Sequence, residues 1–319
     1  MTCSLYFHQQ FLEWIIMISA KVIANSISLE GVRIVTFELE YPRFIHSEFM
    51  THRQFSRNAA SSRAIPVNVM ADLIINNPAT PVHWGKNQPG MQAKEELVEP
   101  ALIRVKSLWN EAKDEAIRIA LSMNLEQAHK QIINRILEPF QHIKVVMTAT
   151  CLDNFFYLRS HTDAQPEIKV LSDLMVKALD ESVEVYLNED DWHLPYYGRG
   201  YWAVDDEGTE SQPESLEDAI AISASCCAQV SYRKADTSLE KALDIYRRLV
   251  DFKPVHASPF EHQATPFNHV VESLEDILPH NWPKGVTHMD KEFMFWSGNF
   301  KGWIQNRQLI EGHVYTGKE

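Results

Sequence analysis

Residues 51–63 read THRQFSRNAASSR, which gathers three arginines, a histidine, an asparagine and three serines in one short run. Arginine presents a planar fork of N–H donors that matches a phosphate or the imide edge of a pyrimidine, and serine hydroxyls add further donors. Arg53 and Arg63 flank Ser61 and Ser62, while Arg135 falls on an expected helix and Arg159 just ahead of another. Together they are placed to grip a small anion. Taken singly, each reads equally as a solvated surface charge, the default state of arginine.

A second run, HASPFEH at 256–262, places two histidines around Glu261. Their spacing is not the i, i+4 pair of a metalloprotease helix, and Pro259 interrupts any helix, so a capping turn is expected and no metal site. Cys226 and Cys227 lie in a run of small apolar residues and are expected to be buried structural thiols rather than nucleophiles. No GxGxxG, P-loop or GxSxG element occurs, so a dinucleotide would not be held in the Rossmann manner.

The chain that must position these groups has 319 residues, 45% of them hydrophobic, which suits one large domain or two modest ones. With 43 acidic against 30 basic side chains its formal charge is −13, which disfavours a nucleic-acid polymer but leaves room for a small phosphorylated ligand. The four cysteines form no CxxC pair, and a reducing cytoplasm is the expected compartment. The opening segment lacks a basic n-region and its apolar run is broken by Glu13, so neither a signal peptide nor a membrane span is expected; residues 1–17 read as an extension ahead of a start at Met17.

Alternation in residues 21–41 predicts two paired strands around Glu30-Gly31. Between Glu95 and Leu125, apolar residues Leu102, Val105, Leu108, Trp109, Ala112, Ala116, Ile119 and Ala120 recur at helical spacing. A second helix carries Ala128, Ile132, Ile133, Ile136 and Leu137, and a third begins near Asp163 with Pro166 in its first turn. Residues 188–215 break all periodicity and read as a long connection. Helices return in SLEDAIAISASCCAQVSY, with Ser215 as cap, and in SLEKALDIYRRLVDF; EFMFWSGNFKGWIQNRQLI reads as a strand running into a helix.

Put together, these motifs resemble the flavin-dependent thymidylate synthases, whose signature RHRxxSxNExSxR is matched in spacing by Thr51, His52, Arg53, Ser56, Asn58, Ser61 and Arg63. TCLDNFFYLRSHTDAQPEI resembles a second stretch of that family, with an asparagine, an aromatic run, Leu-Arg and then Ala-Gln-x-Glu-Ile. Segments like the family's opening, CAQVSYRKAD and HASPFEH, lie here downstream instead of upstream. The order therefore resembles a circular permutation, physically reasonable where termini lie close together at the surface. On this reading 1–17 is an extension, 18–187 the flavin and nucleotide segment, 188–215 the new connection, and 216–319 a permuted segment of the same domain.

The resemblance implies an α+β fold with a mixed sheet and long helices, a homotetramer with shared sites, and bound FAD. It implies reductive methylation of dUMP at C5, with methylenetetrahydrofolate and NADPH as co-substrates. Arg159 matches the catalytic arginine on the pyrimidine edge; Ser61, Ser62 and Arg63 match nucleotide positions, and Arg135 the phosphate position. Thr51, His52, Arg53, Thr148, Thr150 and Asn154 match flavin contacts, with Ser258 and Glu261 supplied by the permuted motif. The chain departs from the pattern at Thr51, Ala59, Ala64 and Glu48. Glu48, where glutamine is expected, keeps open another pyrimidine such as dCMP, since a carboxylate accepts from cytosine N4; transfer of another one-carbon group and nucleotide binding without turnover also stay open.

Overall fold

A computed structural model describes residues 18–197, 215–230, 239–267 and 273–317. Strands β1 (Ser19–Ser28) and β2 (Arg33–Pro42) form the expected antiparallel hairpin. Its return needs Gly31 at φ +77°, a conformation that opposes a Cβ, and the Gly31 N–H donates to the Ser28 carbonyl at 2.9 Å.

After β2 come a one-turn helix α1 (His46–Phe49), β3 (Ser56–Ala59), α2 (Val67–Asn76), α3 (Ala101–Leu125) and α4 (Lys130–Leu137). They are followed by β4 (His142–Ala149), α5 (Asp153–Arg159), α6 (Pro166–Asp180) and β5 (Val185–Leu187). The main sheet has the order β3-β4-β2-β1-β5, antiparallel throughout except where β5 joins β1 in parallel. This is the mixed sheet of an α+β fold.

Alternation does not announce β4 because the strand is covered on both faces, and such strands read as apolar runs. On one face Ile143, Val145 and Met147 join Phe37 and Leu39 of β2 beneath Ile168, Leu171 and Met175 of α6. On the other, Val146 packs with Ile222, Cys226 and Cys227 of α7 (Leu216–Ala228) and Ala242 of α8 (Leu239–Asp251). Two helix starts behave as expected: Gln165 accepts from Ile168 N–H ahead of Pro166, and Ser215 Oγ accepts from Asp218 N–H.

Helices α2, α3 and α4 have their own small core around Met70, Ile74, Ile117, Ile133 and Leu137. The apolar stripe of α3 is only partly used: Ile117 and Ala120 are buried, whereas Leu108 is 61% exposed. Trp109, Ala116 and Ala120 pack into that core, whereas Val105, Leu108 and Ile119 stay exposed, contrary to the simplest reading of the periodicity.

The C-terminal part adds a 3-10 turn at Ser258–Glu261, β6 (Ala264–Pro266), β7 (His288–Met289), β8 (Phe295–Ser297), β9 (Phe300–Lys301) and β10 (Trp303–Gln305). The expected strand-to-helix run is instead a meander of short strands ending in a 3-10 turn. Gly298 and Gly302, at φ +61° and +68°, reverse the chain twice and leave no room for a helix to start.

Within the expected connection, residues 188–197 are not a loose loop: His193 and Tyr196 are buried, and His193 N–H donates to the Ala264 carbonyl at 2.7 Å. Residues 198–214 of that connection, the extension 1–17, and all of YRKAD lie outside the described residues. No helix among the described residues is long and apolar enough to cross a membrane.

A polar chain runs through this core. His193 bonds Ser26 Oγ through Nδ1 (2.9 Å) and Thr36 Oγ1 through Nε2 (2.8 Å). Thr36 bonds Thr148 Oγ1 (2.7 Å), which in turn bonds His262 Nδ1 (2.8 Å). Burial pushes the imidazoles of His193 and His262 down to about 3, so both are neutral in the fold. Unfolding frees them to titrate near ~6.5, so the unfolded chain binds more protons between these values and stability rises with pH across that window. Urea unfolding is therefore expected to give a lower stability at pH 5 than at pH 7, with a slope up to about 1.4 kcal/mol per pH unit for each histidine. His193→Gln should flatten that slope, and a wild-type stability independent of pH over this range would contradict the account.

Candidate functional site

The antiparallel pairing of β3 with β4 sets Ser56 opposite Thr148, so the residues before β3 and those after β4 meet at one end of the sheet. There the Arg159 side chain, at the last residue of α5, donates from Nε to His52 Nε2 at 3.0 Å. Two residues 107 apart in the chain, drawn from separate motifs, are thereby brought into contact. His52 stacks on Phe55 at 5.7 Å and meets Phe155 edge-on at 4.8 Å. Burial, with the cations of Arg159 and Arg57, pushes His52 down to about 4, so it is the neutral acceptor the contact requires. Arg159 also lines an open groove of about 460 Å³ shared with Tyr157, His161 and Asp163.

The second half of the motif is held by α4. Asn134 Nδ2 donates to the carbonyls of Ser62 (2.7 Å) and Ile65 (2.9 Å), and Lys130 Nζ to that of Ala64 (2.7 Å). Ser62 is buried and donates to Glu138 Oε1 (3.2 Å), which also pairs with Arg135 (2.9 Å) and Arg43 (3.2 Å). Ser61 closes a turn, its carbonyl accepting from Ala64 N–H at 3.0 Å. Arg53 and Arg63 are exposed, with no ion pair among the described residues.

Asn58 Nδ2 donates to the Cys227 carbonyl at 3.2 Å, tying the motif to the end of α7. Beside it opens a hollow of about 380 Å³, lined by Arg57, Asn58, His256 and Ser258 among others. Ser258 is thus brought beside the motif across some two hundred positions of chain. Its neighbour Glu261 pairs with Arg307, and its charge also reaches Arg57. Arg57 is half-buried and donates to the Phe49 carbonyl at 3.2 Å.

Other expected contacts lie apart. Thr148 is fully buried in the polar chain and lines neither hollow; Thr150 Oγ1 accepts from Lys301 N–H at 2.9 Å; Asn154 is exposed on α5. Thr51 turns its hydroxyl back onto the Glu48 carbonyl at 2.7 Å, leaving the half-exposed Glu48 carboxylate without a hydrogen bond or ion pair among the described residues.

Sequence reasoning passed over Arg57, Arg43 and Glu138. Arg57 stood inside the quoted motif as the one arginine followed directly by its asparagine; nothing local marks Arg43 or Glu138, which matter only because α4 and the end of β2 converge. The flavin fits this donor set in part: a guanidinium, an amide, an imidazole and a hydroxyl around a hollow of about 380 Å³ suit the phosphate-bearing portion of a nucleotide cofactor.

Arg159→Ala should raise the titration point of His52, read from its imidazole NMR signals, yet leave it below ~6.5 because burial is the larger cause. An unchanged titration would mean that the two side chains are not coupled.

Against known proteins, residues 29–183 match the family model Thy1, described as thymidylate synthase complementing protein. No curated protein matches the sequence. Among solved structures, the UMP/dUMP methylase PolB from Streptomyces cacaoi bound with 5-Br UMP is 17% identical, with a TM-score of 0.45 over 51% of this chain and 89% of that one. The same enzyme bound with 5-Br dUMP is 19% identical, with a TM-score of 0.40 over 47% and 67%. At these scores neither likeness carries weight for function. The stretch that matches the Thy1 model, residues 29–183, holds both motif halves and the His52–Arg159 contact.

Proposed function

We propose that this chain methylates C5 of a pyrimidine nucleotide, with dUMP the expected substrate, FAD bound beside it, and methylenetetrahydrofolate and NADPH as co-substrates. The observation that carries this reading is the hydrogen bond from Arg159 to His52. It engages Nε and leaves the other guanidinium nitrogens uncommitted in a residue that lines the groove, where a planar pair of donors would suit the O2 and N3 edge of a uracil. Charge building on that edge is stabilised by a cation that keeps its proton. Ser61, Arg63 and Arg135 are proposed, from the motif match alone, to serve the nucleotide phosphate. Arg57, Asn58 and Ser258 serve the flavin, which supplies hydride chemistry when bound.

The permuted order is part of the same reading. What supports it is that Ser258 lines one hollow together with Arg57 and Asn58, which would let a C-terminal motif serve a site built by the N-terminal half. A homotetramer with shared sites is supported by the exposed apolar residues of the α3 stripe, where Leu108 and Val105 are 61% and 36% exposed.

Glu48 favours a second substrate reading, because its unengaged carboxylate is able to accept from the amino group of a cytosine. Tritium release from 5-labelled dUMP, UMP and dCMP, with FAD, NADPH and methylenetetrahydrofolate present, separates these readings. Release from dUMP is expected; release from dCMP alone would move the assignment to that nucleotide. Failure to release from any of them, in a protein that also takes up no FAD, would overturn the enzyme assignment. Arg159→Ala should cost about 100-fold or more in turnover while leaving the melting temperature almost unchanged.

A further inference from the structure

Asn299 lies in the turn between β8 and β9, 245 residues along the chain from Gln54, and its side-chain amide grips the motif from both sides of Phe55. Nδ2 donates to the Gln54 carbonyl at 3.0 Å, and Oδ1 accepts from Ser56 Oγ at 3.0 Å. Gln305, buried in β10, steadies this grip by donating from Nε2 to Asn299 Oδ1 at 2.9 Å and to Ser56 Oγ at 3.1 Å. The turn is shaped for the purpose: Gly298 sits at φ +61°, and a Cβ there would fall 2.6 Å from the Gln305 amide oxygen.

Phe55, held on both flanks, is 4% exposed and has little freedom. Its ring lies at 27° to His52 and packs edge-on against Phe155 at 5.1 Å, so that His52 is stacked on one ring and perpendicular to the other. His52 in turn receives the Arg159 hydrogen bond. Asn299 thus reaches the guanidinium through an uninterrupted series of contacts: amide to backbone, backbone to Phe55, ring to His52, and imidazole to Arg159.

We infer that Asn299 is a positioning residue for Arg159, so that a C-terminal turn sets the aim of an arginine far upstream in the chain. The inference rests on the reading of Arg159 as the pyrimidine-binding cation. It differs from a purely structural role in one measurable respect. A residue that only stabilises its own turn leaves His52 untouched, whereas a positioning residue changes its surroundings.

The experiment follows His52 by imidazole NMR in folded Asn299→Ala, in Phe55→Leu and in the double variant, alongside titration of dUMP into each. His52 starts at about 4. Each single variant should raise its titration point by about one pH unit, and the double variant by no more than the larger single effect, because the residues act in series. Binding of dUMP should weaken by about tenfold in Asn299→Ala and show no further loss when Asn299→Ala is added to Arg159→Ala.

A folded Asn299→Ala whose His52 titrates as in wild type would overturn the inference. If that variant does not fold, Asn299→Ser, which keeps a hydroxyl toward Ser56 but cannot also reach Gln54, gives the same reading. Should wild type fail to bind dUMP, or Arg159→Ala bind it equally well, the nucleotide assignment would fall while the link from Asn299 to His52 would stand or fall on the NMR alone.

Discussion

A strand buried on both faces must satisfy its backbone N–H and C=O groups sideways, and β4 does so between β2 and β3. That requirement sets the register of Ser56 against Thr148 and Val35 against Ala149. Because shifting a strand by one residue exchanges its faces, the pairing is locked by two hydrophobic layers at once. The site inherits this precision. The residues before β3 and the helix after β4 emerge at the same end of the sheet, which is how His52 and Arg159 come within 3.0 Å.

Electrostatics along this sheet are the reverse of the chain as a whole. In a molecule of net charge −13, Arg57 and Arg159 lie near His52 at that end, while Arg43 and Arg135 share Glu138 at the other, where Pro42 pairs with His142. Histidines there are kept neutral: burial pushes both His46 and His52 down to about 4, and neighbouring guanidinium groups push the same way. A neutral imidazole accepts from a guanidinium where a charged one would repel it. The cations therefore keep their charge for a ligand while the histidines supply geometry.

Much of the framework was legible because its signals are local. The β1–β2 hairpin follows from alternation around a glycine, α6 from Gln165 and Pro166 at its start, and α7 from Ser215 three residues ahead of Asp218. The motif letters likewise singled out His52 and Arg159, two residues that the fold brings into contact. β4 was not legible, since a doubly buried strand loses the alternation that marks one. The C-terminal meander was misread because WSGNFKGW offers aromatic and apolar residues compatible with several elements, and only the positive φ of two glycines selects the turns. His193 was hidden as well, in a polar stretch that reads as linker, although its ring bridges Ser26 and Thr36 in the core.

By itself the sequence determined the kind of chemistry on offer: arginines, serines and a histidine at spacings suited to an anionic pyrimidine ligand, and helices and strands enough for an α+β domain. Chemical type and short-range spacing are properties of the chain, written in adjacent letters. Tertiary structure alone decided which of those groups act together. It set His52 rather than Arg53 against Arg159, turned the Thr51 hydroxyl onto Glu48 and buried Thr148. It also recruited Asn299 and Ser258 from the far end of the chain. These choices depend on strand register and on which polar groups find partners away from water, and both are settled only when distant segments pack.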